Sequence, residues 1–547
     1  MTEWWRGAVI YQIYPRSFKD ANGDGVGDLQ GITEKLDHVA SLGVDAIWLS
    51  PFFKSPMKDY GYDVADYCDV DPLFGTLEDF KTMLDKAHRL GIKIVIDMVL
   101  SHSSDQHPWF QESRQSRNNP KADWYVWADP KPDGGPPNNW LAHFGGPSWT
   151  YEVRRGQYYL HNFLAEQPDL NLYNPELRKK LDETMRFWLD MGVDGFRLDA
   201  IGCFFHSQKF EDNPPNANPA PAFSNVMFPT PHSMQDHKYD FLIEPGVDFC
   251  REIRSILDDY PDRMAVAEVG GEDCIPRAIR YTDGNDLLHT SYNFGLLSND
   301  KPSAKYIASA VTAFERERDN AWPSWAFTNH DVTRVASRWH PDKNGFHQDP
   351  RLSKMLIALL CSLRGTVFLY EGEELGLPEA PIAFDQIQDP WGKYLYPHWQ
   401  GRDGCRTPMP WQAKGLNAGF GEGPPWLPIP PSHVEMAADV QEKDAGSALH
   451  FTRQFLKWRK GQKALLEGEI KFIDGPNDTL LGIVREAGEH KMLCLFNLAD
   501  MAQDFVLEQD AGRPAGFESG ALGGSQKNAT TITLPAYGFY FAVLTSA

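Results

Sequence analysis

The 547-residue sequence predicts an α/β fold: a closed (β/α)8 barrel, with a small domain inserted after strand 3 and an antiparallel β domain at the C-terminus. Three observations predict it. A unit of amphipathic helix, glycine stop and apolar strand recurs along the chain. Eight candidate strands can be counted, which favours a closed barrel over an open doubly wound sheet. Beyond about Gly468 the pattern changes to short alternating runs, the mark of antiparallel strands with one buried face.

The repeat is clearest in "GITEKLDHVASLGVDAIWLSPF", "LEDFKTMLDKAHRLGIKIVIDMVLSH", "NPELRKKLDETMRFWLDMGVDGFRLDA" and "SKMLIALLCSLRGTVFLYEGEELG". Gly43, Gly91, Gly192 and Gly365 stand where a helix end needs left-handed backbone. The strands are rich in Val, Ile and Leu, as parallel strands covered on both faces should be. The eight lie near "AVIYQIYPRSF", "AIWLSPF", "KIVIDMVLSH", "VDGFRLDA", "MAVAEVGG", "LHTSYNF", "WAFTNHD" and "TVFLYEGEE". Two stretches interrupt the repeat. Residues 102–174 are rich in Pro, Trp and Asn and too long for a bare loop, so they form the inserted domain. Phe204 to Ile243 is a second Pro-rich insertion. The barrel is therefore expected over 1–101 and 175–467, and a C-terminal β-sandwich over 468–547.

A 42% hydrophobic, 23% charged composition is globular, not disordered. The formal charge of −22 disfavours nucleic acid and anionic membranes and suits a neutral ligand. With 17 Trp, 32 Phe and 20 Tyr, the chain has aromatic rings to spare for stacking on sugars. Seven Cys without CxxC spacing argue against a disulfide framework. No signal peptide or membrane span is visible, so a cytoplasmic protein is expected.

Polar residues then recur where the strands end. In "MGVDGFRLDAIG", Arg197 and Asp199 are two apart on a strand and point together, opposite Phe196 and Leu198. Asp97 and His102, Glu268, and His330 with Asp331 close other strands in the same way. A single such pair could be a structural ion pair. Four strands ending alike place the charges at the barrel's C-terminal rim, where such folds carry their active sites. Three carboxylates gathered there suit glycoside hydrolysis with retention, in which one carboxylate is nucleophile and another a protonated acid/base. Arg197 beside Asp199 would keep it ionised, and the apolar run "MAVAEV" would raise Glu268.

A second candidate site is "DANGDGVGDLQG". Asp20, Asn22, Asp24 and Asp28 recur at alternating positions, with Gly25 in the turn and a backbone oxygen available from Val26. The spacing follows an EF-hand calcium loop, although Gly31 stands where that loop has its final Glu. A Gly/Asn turn with solvated acids is the other reading.

Taken together, these motifs resemble the α-amylase superfamily, glycoside hydrolase family 13, and within it the α-glucosidase and oligo-1,6-glucosidase group. The matching segments are "DMVLSH" (97–102), "GFRLDA" (195–200), "AEVGG" (267–271), "FTNHD" (327–331), "QPDLN" (167–171), "DYGYDV" (59–64), "RDGCRTPMPW" (402–411) and the N-terminal "WWRGAVIYQIYPRSFKDANGDGVGDLQGI". The resemblance spans most of the chain and implies roles residue by residue. Asp199 matches the nucleophile, Glu268 the acid/base and Asp331 the third carboxylate. His102, Arg197 and His330 match polar contacts to the glucose in the −1 pocket, and Tyr62 the aromatic platform beneath it. Asp59 and Arg406 match the pair that grips the far side of that glucose. The Asp20–Asp28 loop matches a structural divalent-ion site for Ca or Mg. Ala200, small where relatives preferring α-1,6 bonds carry Val, implies preference for α-1,4 bonds.

The expected activity is thus exo-acting α-glucosidase action on maltose, sucrose and short oligosaccharides, with transglucosylation. An oligo-1,6-glucosidase or a sucrose-directed hydrolase or transglucosylase is the alternative, and a non-catalytic barrel the remote one. Two features depart from the pattern: Glu371, where much of the group has Gln, and the Phe204–Ile243 insertion, expected to wall the aglycone side.

Overall fold

The structure, a computed structural model, describes residues 3–219, 229–270, 274–297, 302–340 and 349–544. Eight parallel strands close into a barrel: β1 (Val9–Ile13), β2 (Ala46–Leu49), β3 (Lys93–Met98), β4 (Gly195–Leu198), β5 (Met264–Val269), β6 (Thr290–Asn293), β7 (Trp322–Ala326) and β8 (Thr366–Tyr370). Each pairs with its sequence neighbours, and β8 pairs with β1. All eight predicted strands are present. Gly271 at the end of "AEVGG" and part of the second insertion, 220–228, lie outside the described residues.

Alternation along each strand sorts side chains between two cores. Ile10, Trp48, Val95, Val266, Tyr292, Ala326 and Phe368 fill the barrel interior. Tyr11, Ile47, Ile96, Phe196, Leu198, Ala267, Trp325 and Leu369 face outward. They pack under helices such as α1 (Leu29–Leu42), α2 (Leu77–Arg89) and α3 (Pro175–Met191). Helix α3 begins with Asn174 accepting from the Glu176 and Leu177 amides. It ends at Gly192, whose φ of 109° is one that L side chains rarely adopt. This turn feeds the chain into β4 and so aims Arg197 inward.

Within the first insertion, Trp127–Ala128, Trp149–Glu152 and Gln157–Leu160 form a three-stranded sheet with its own apolar centre at Trp140, Trp149 and Leu160. Phe210 and Tyr239 of the second insertion pack onto that centre. The Trp140 indole N–H donates to the Glu211 carbonyl at 2.8 Å. The two insertions, separate in sequence, form one lobe over the barrel mouth. Beyond the barrel, Glu469–Ile473, Leu480–Ala487, His490–Asn497, Phe539–Leu544 and Arg513–Pro514 form one antiparallel sheet. Gln503–Val506, Thr531–Leu534 and Ser525–Asn528 form another. Leu493, Phe505, Ile532 and Leu534 share the apolar cluster between them. Buried Arg485 ties the larger sheet to the barrel by donating to the Ser362 and Leu363 carbonyls at 2.8 and 2.9 Å.

Candidate active site

The centre of the site follows from register. Asp97 on β3 lies directly beside Arg197 on β4, both pointing into the barrel. The Arg197 guanidinium, 1% exposed, reaches Asp97 and Asp199 from Nη1 at 2.7 and 2.6 Å, and Glu268 from Nη2 at 2.7 Å. Trp48 and Tyr62 each donate to the other Asp97 oxygen at 3.1 Å, so Asp97 holds Arg197 and does not face the cavity.

From the sequence, Arg197 serves Asp199 alone. In the fold it contacts three carboxylates, and burial together with repulsion among those carboxylates works against its pull. Burial pushes Asp199 up to about 7 against the pull of Arg197, with Asp97 adding to the rise. Burial likewise pushes Glu268 up to about 7 against Arg197, with Asp199 adding to it. The two carboxyls therefore compete for one proton near neutrality. Asp331 differs: burial alone would raise it, but the Arg402 and Arg406 guanidiniums, 3.2 and 2.8 Å away, outweigh that and hold it well below the usual carboxylate range.

Ala200 follows Asp199 in left-handed backbone, φ 42° and ψ 48°, and its N–H donates to Glu268 Oε2 at 3.0 Å. The residue expected to govern linkage is thus tied to the expected acid/base. Two positions on, Gly202 has no room for a side chain, because a Cβ would lie 2.3 Å from the Phe241 ring. That close approach lets the second insertion press onto the turn after Asp199.

Around this centre, the Tyr62 hydroxyl lies 2.7 Å from His330 Nε2, and the two rings stack at 5.6 Å. Gln12 Nε2 lies 2.7 Å from His330 Nδ1. Burial pushes His330 down to about 3, so it is neutral. His102 is pushed down to about 4 by burial, and its Nε2 lies 3.1 Å from the Tyr62 carbonyl.

The Asp59–Arg406 pairing expected from the motif is not made. Arg402 is the partner: its Nη2 reaches Asp59 at 3.2 Å and Asp389 at 2.8 Å, and its Nη1 reaches Asp331 at 3.2 Å. Arg406 instead donates to the His330 carbonyl at 2.6 Å and to Asp331 at 2.8 Å. Both arginines stand in "RDGCRTPMPW", four residues apart, and only the Arg402–Cys405 turn decides which reaches Asp59. Gln167, from "QPDLN", also donates to Asp59 at 3.2 Å. Arg402 and Gln167 are the contacts that the motif reading missed.

These residues line a cavity of about 480 Å³ that holds Asp59, Tyr62, His102, Asp199, Ala200, Glu268, Asp331 and Arg402 on its wall. Asn216, His232, Gln235 and His237 of the second insertion line it too, so that insertion does border the mouth. Glu371 does not line it. It is fully buried and accepts the Tyr14 N–H at 2.9 Å. Burial holds it well above the usual carboxylate range, so it stands as a neutral carboxyl.

The Asp20–Asp28 loop lies away from the cavity. Asp20 accepts from the Gly25 amide at 3.0 Å, and Asp28 from the Ala21 and Asn22 amides at 3.0 and 3.1 Å. Asn22 and Asp24 cap the Asp24 and Val26 amides in the same way. Asp20 and Asp28 are each 2% exposed. Burial raises Asp28, the loop amides oppose this, and Asp20 adds to the rise. Among the described residues neither carboxylate has an ion-pair partner, and no three His, Cys, Asp or Glu side chains are gathered for metal ligation. Two buried, mutually repelling carboxylates with lone pairs to spare, beside an Asn and a backbone carbonyl, are a donor set that fits a hard cation.

Among the described residues no helix is long and apolar enough to cross a membrane. The α-amylase catalytic-domain model matches residues 12–468. A probable α-glucosidase of Rhizobium meliloti is 50% identical, over 99% of this chain and 97% of its own. An oligo-1,6-glucosidase of Heyndrickxia coagulans is 38% identical, over 93% and 95%. Among solved structures, the α-glucosyl transfer enzyme XgtA superposes with a TM-score of 0.95 at 48% identity, over 99% of this chain and 100% of its own. The trehalulose synthase MutB superposes at 0.88 and 30%, with the same coverage. With the matched span running from within β1 through β8 and enclosing the carboxylate pocket, the chain belongs to the α-amylase family of glycoside hydrolases, in its group of α-glucosidases and oligo-1,6-glucosidases.

Proposed function

We propose that this chain is a retaining, exo-acting α-glucosidase that removes terminal α-1,4-linked glucose from maltose and short oligosaccharides, with sucrose as a further substrate. The observation that carries the reading is one arginine, Arg197, bridging Asp199 and Glu268 on a cavity closed at one side by the Asp59–Arg402 ion pair.

In this reading Asp199 attacks the anomeric carbon while Glu268 gives its proton to the departing glycosidic oxygen. Water or a sugar hydroxyl then attacks the same carbon, its proton passes to Glu268, and the bond to Asp199 breaks to restore the carboxylate. Asp331, held ionised by Arg402 and Arg406, accepts the hydroxyls of the distorted sugar. Tyr62, His102 and His330 frame the glucose, and the two histidines, being neutral, add no charge that would oppose the oxocarbenium-like transition state. The buried Asp59–Arg402 pair ends the cavity, which supports attack from the non-reducing end only.

The Asp20, Asn22, Asp24, Val26 and Asp28 oxygens hold a divalent ion, Ca or Mg, for stability and not for chemistry. Seven free cysteines support a reducing, cytoplasmic setting. The reading is tested by digests of maltose, isomaltose and sucrose with product anomers followed by NMR. α-Glucose as first product, maltose cut faster than isomaltose, and no turnover by Asp199→Asn are expected. Near-normal turnover by that variant refutes the assignment.

A further inference from the structure

The cavity has a second lining that the hydrolytic residues do not explain. His102 lies against Phe163, with ring centroids 5.1 Å apart. Phe163 stacks on His143 at 5.0 Å, His143 on His232 at 3.9 Å and His232 on His237 at 3.7 Å. The ladder leads from a wall of the glucose pocket to Asp240, whose carboxylate lies 3.0 Å from His237 Nδ1. It is built from both insertions: Phe163 and His143 come from the first, His232 and His237 from the second. His143 Nε2 lies 3.9 Å from the sulfur of Cys203, on the turn that follows Asp199.

The charge along the ladder is uneven. His237 uses both nitrogens, Nδ1 toward Asp240 and Nε2 toward the His232 carbonyl at 2.9 Å, both acceptors, so it is the imidazolium form. Burial pulls His237 down, but Asp240 more than restores it. Burial pushes His143 down to about 3 and His232 well below its ordinary value, and the nearby imidazoles add to both. The inner two rings are therefore neutral, and each offers one donor and one acceptor. Among the described residues neither ring nitrogen of His232 has a hydrogen-bond partner, and Nδ1 of His143 has none. All three rings line the cavity.

We propose that His143 and His232, propped by the His237–Asp240 pair, form the binding wall for the hydroxyls of the leaving or accepting sugar, and so set how glucosyl units divide between water and sugar acceptors. The inference rests on the α-glucosidase reading and deepens it. A neutral imidazole suits a hydroxyl, which donates and accepts at once. The stacking leaves the rings little freedom to lose on binding. An acceptor sugar held there lies beside the turn that follows Asp199, which His143 meets at Cys203.

The test uses α-glucosyl fluoride as donor, because its leaving group carries no ring and needs only the glucose pocket. Maltose is added as acceptor, and transfer product is measured against free glucose. His232→Phe and His143→Phe keep a flat ring in the stack and remove the nitrogens. Each is expected to lower the transfer-to-hydrolysis ratio, and kcat/KM for maltose, by roughly 3- to 10-fold, the loss of one neutral hydrogen bond. The α-glucosyl fluoride rate should fall by less. His232→Gln, which restores an amide donor and acceptor, should recover part of the ratio. An unchanged ratio in both Phe variants overturns the proposal, as does a fluoride rate that falls in step with transfer. If the wild-type chain turns over neither the fluoride nor maltose, it is the α-glucosidase reading that fails.

Discussion

The sharpest consequence of the structure concerns which arginine closes the glucose pocket. Asp59 and Arg402 are both nearly buried and meet at 3.2 Å. Burial pushes Asp59 up to about 6, with Arg402 the larger and Arg406 the smaller opposing pull. Arg406 acts on Asp59 only through space, being bonded to His330 and Asp331. A double-mutant cycle separates the two. A hydrogen bond to a charged, buried partner contributes about 1.5–3 kcal/mol, so the Asp59→Ala/Arg402→Ala pair should couple by roughly 12- to 160-fold in kcat/KM for maltose. The Asp59→Ala/Arg406→Ala pair should couple by less than about threefold, as unbonded charges in separate contacts do. The assay is initial-rate kinetics above pH 6, where Asp59 is ionised, with melting curves to exclude unfolded variants. Near pH 5, where Asp59 is largely protonated, the Arg402 coupling should shrink. Equal or larger coupling to Arg406, or coupling to Arg402 that does not change between the two pH values, refutes the reasoning.

Three further outcomes are expected. Glu371→Gln should leave kcat/KM nearly unaltered, since a neutral amide replaces a neutral carboxyl on the Tyr14 N–H. Because the folded value of Glu371 is raised, its stabilising share is whole below the unfolded carboxylate value near 4.3 and is lost as pH climbs toward the folded one. The variant's melting temperature relative to wild type should therefore climb with pH, and a difference independent of pH would be contrary to the burial argument. Ala200→Val should lower kcat/KM for maltose by about 10- to 200-fold, with less loss on isomaltose. Left-handed backbone at this site also strains a branched residue, so a drop in melting temperature should accompany it; no change on either substrate would show that linkage is chosen elsewhere. Chelation should lower the melting temperature before it lowers turnover, and elemental analysis that finds neither Ca nor Mg in dialysed protein would sink the ion assignment.

Local pattern in the sequence was enough for the barrel and for the gathering of its polar residues. Helix, glycine and strand recur because periodicity and backbone handedness are properties of neighbouring residues. The same alternation that sends Phe196 and Leu198 to the outer core sends Arg197 inward with Asp199. What tertiary structure alone decided are relations between segments far apart in the chain. Arg197 is shared among Asp97, Asp199 and Glu268 because strand register sets those carboxylates around one guanidinium, and register appears in no single segment. Arg402 rather than Arg406 meets Asp59 because a one-turn helix rotates one of two nearby arginines toward a residue more than 300 positions earlier. The Glu371 carboxyl, which the sequence marks only as a departure from the expected Gln, is a buried neutral group, since burial depends on everything packed around it. The histidine ladder exists only where two insertions, each holding only some of its rings, close over the same mouth.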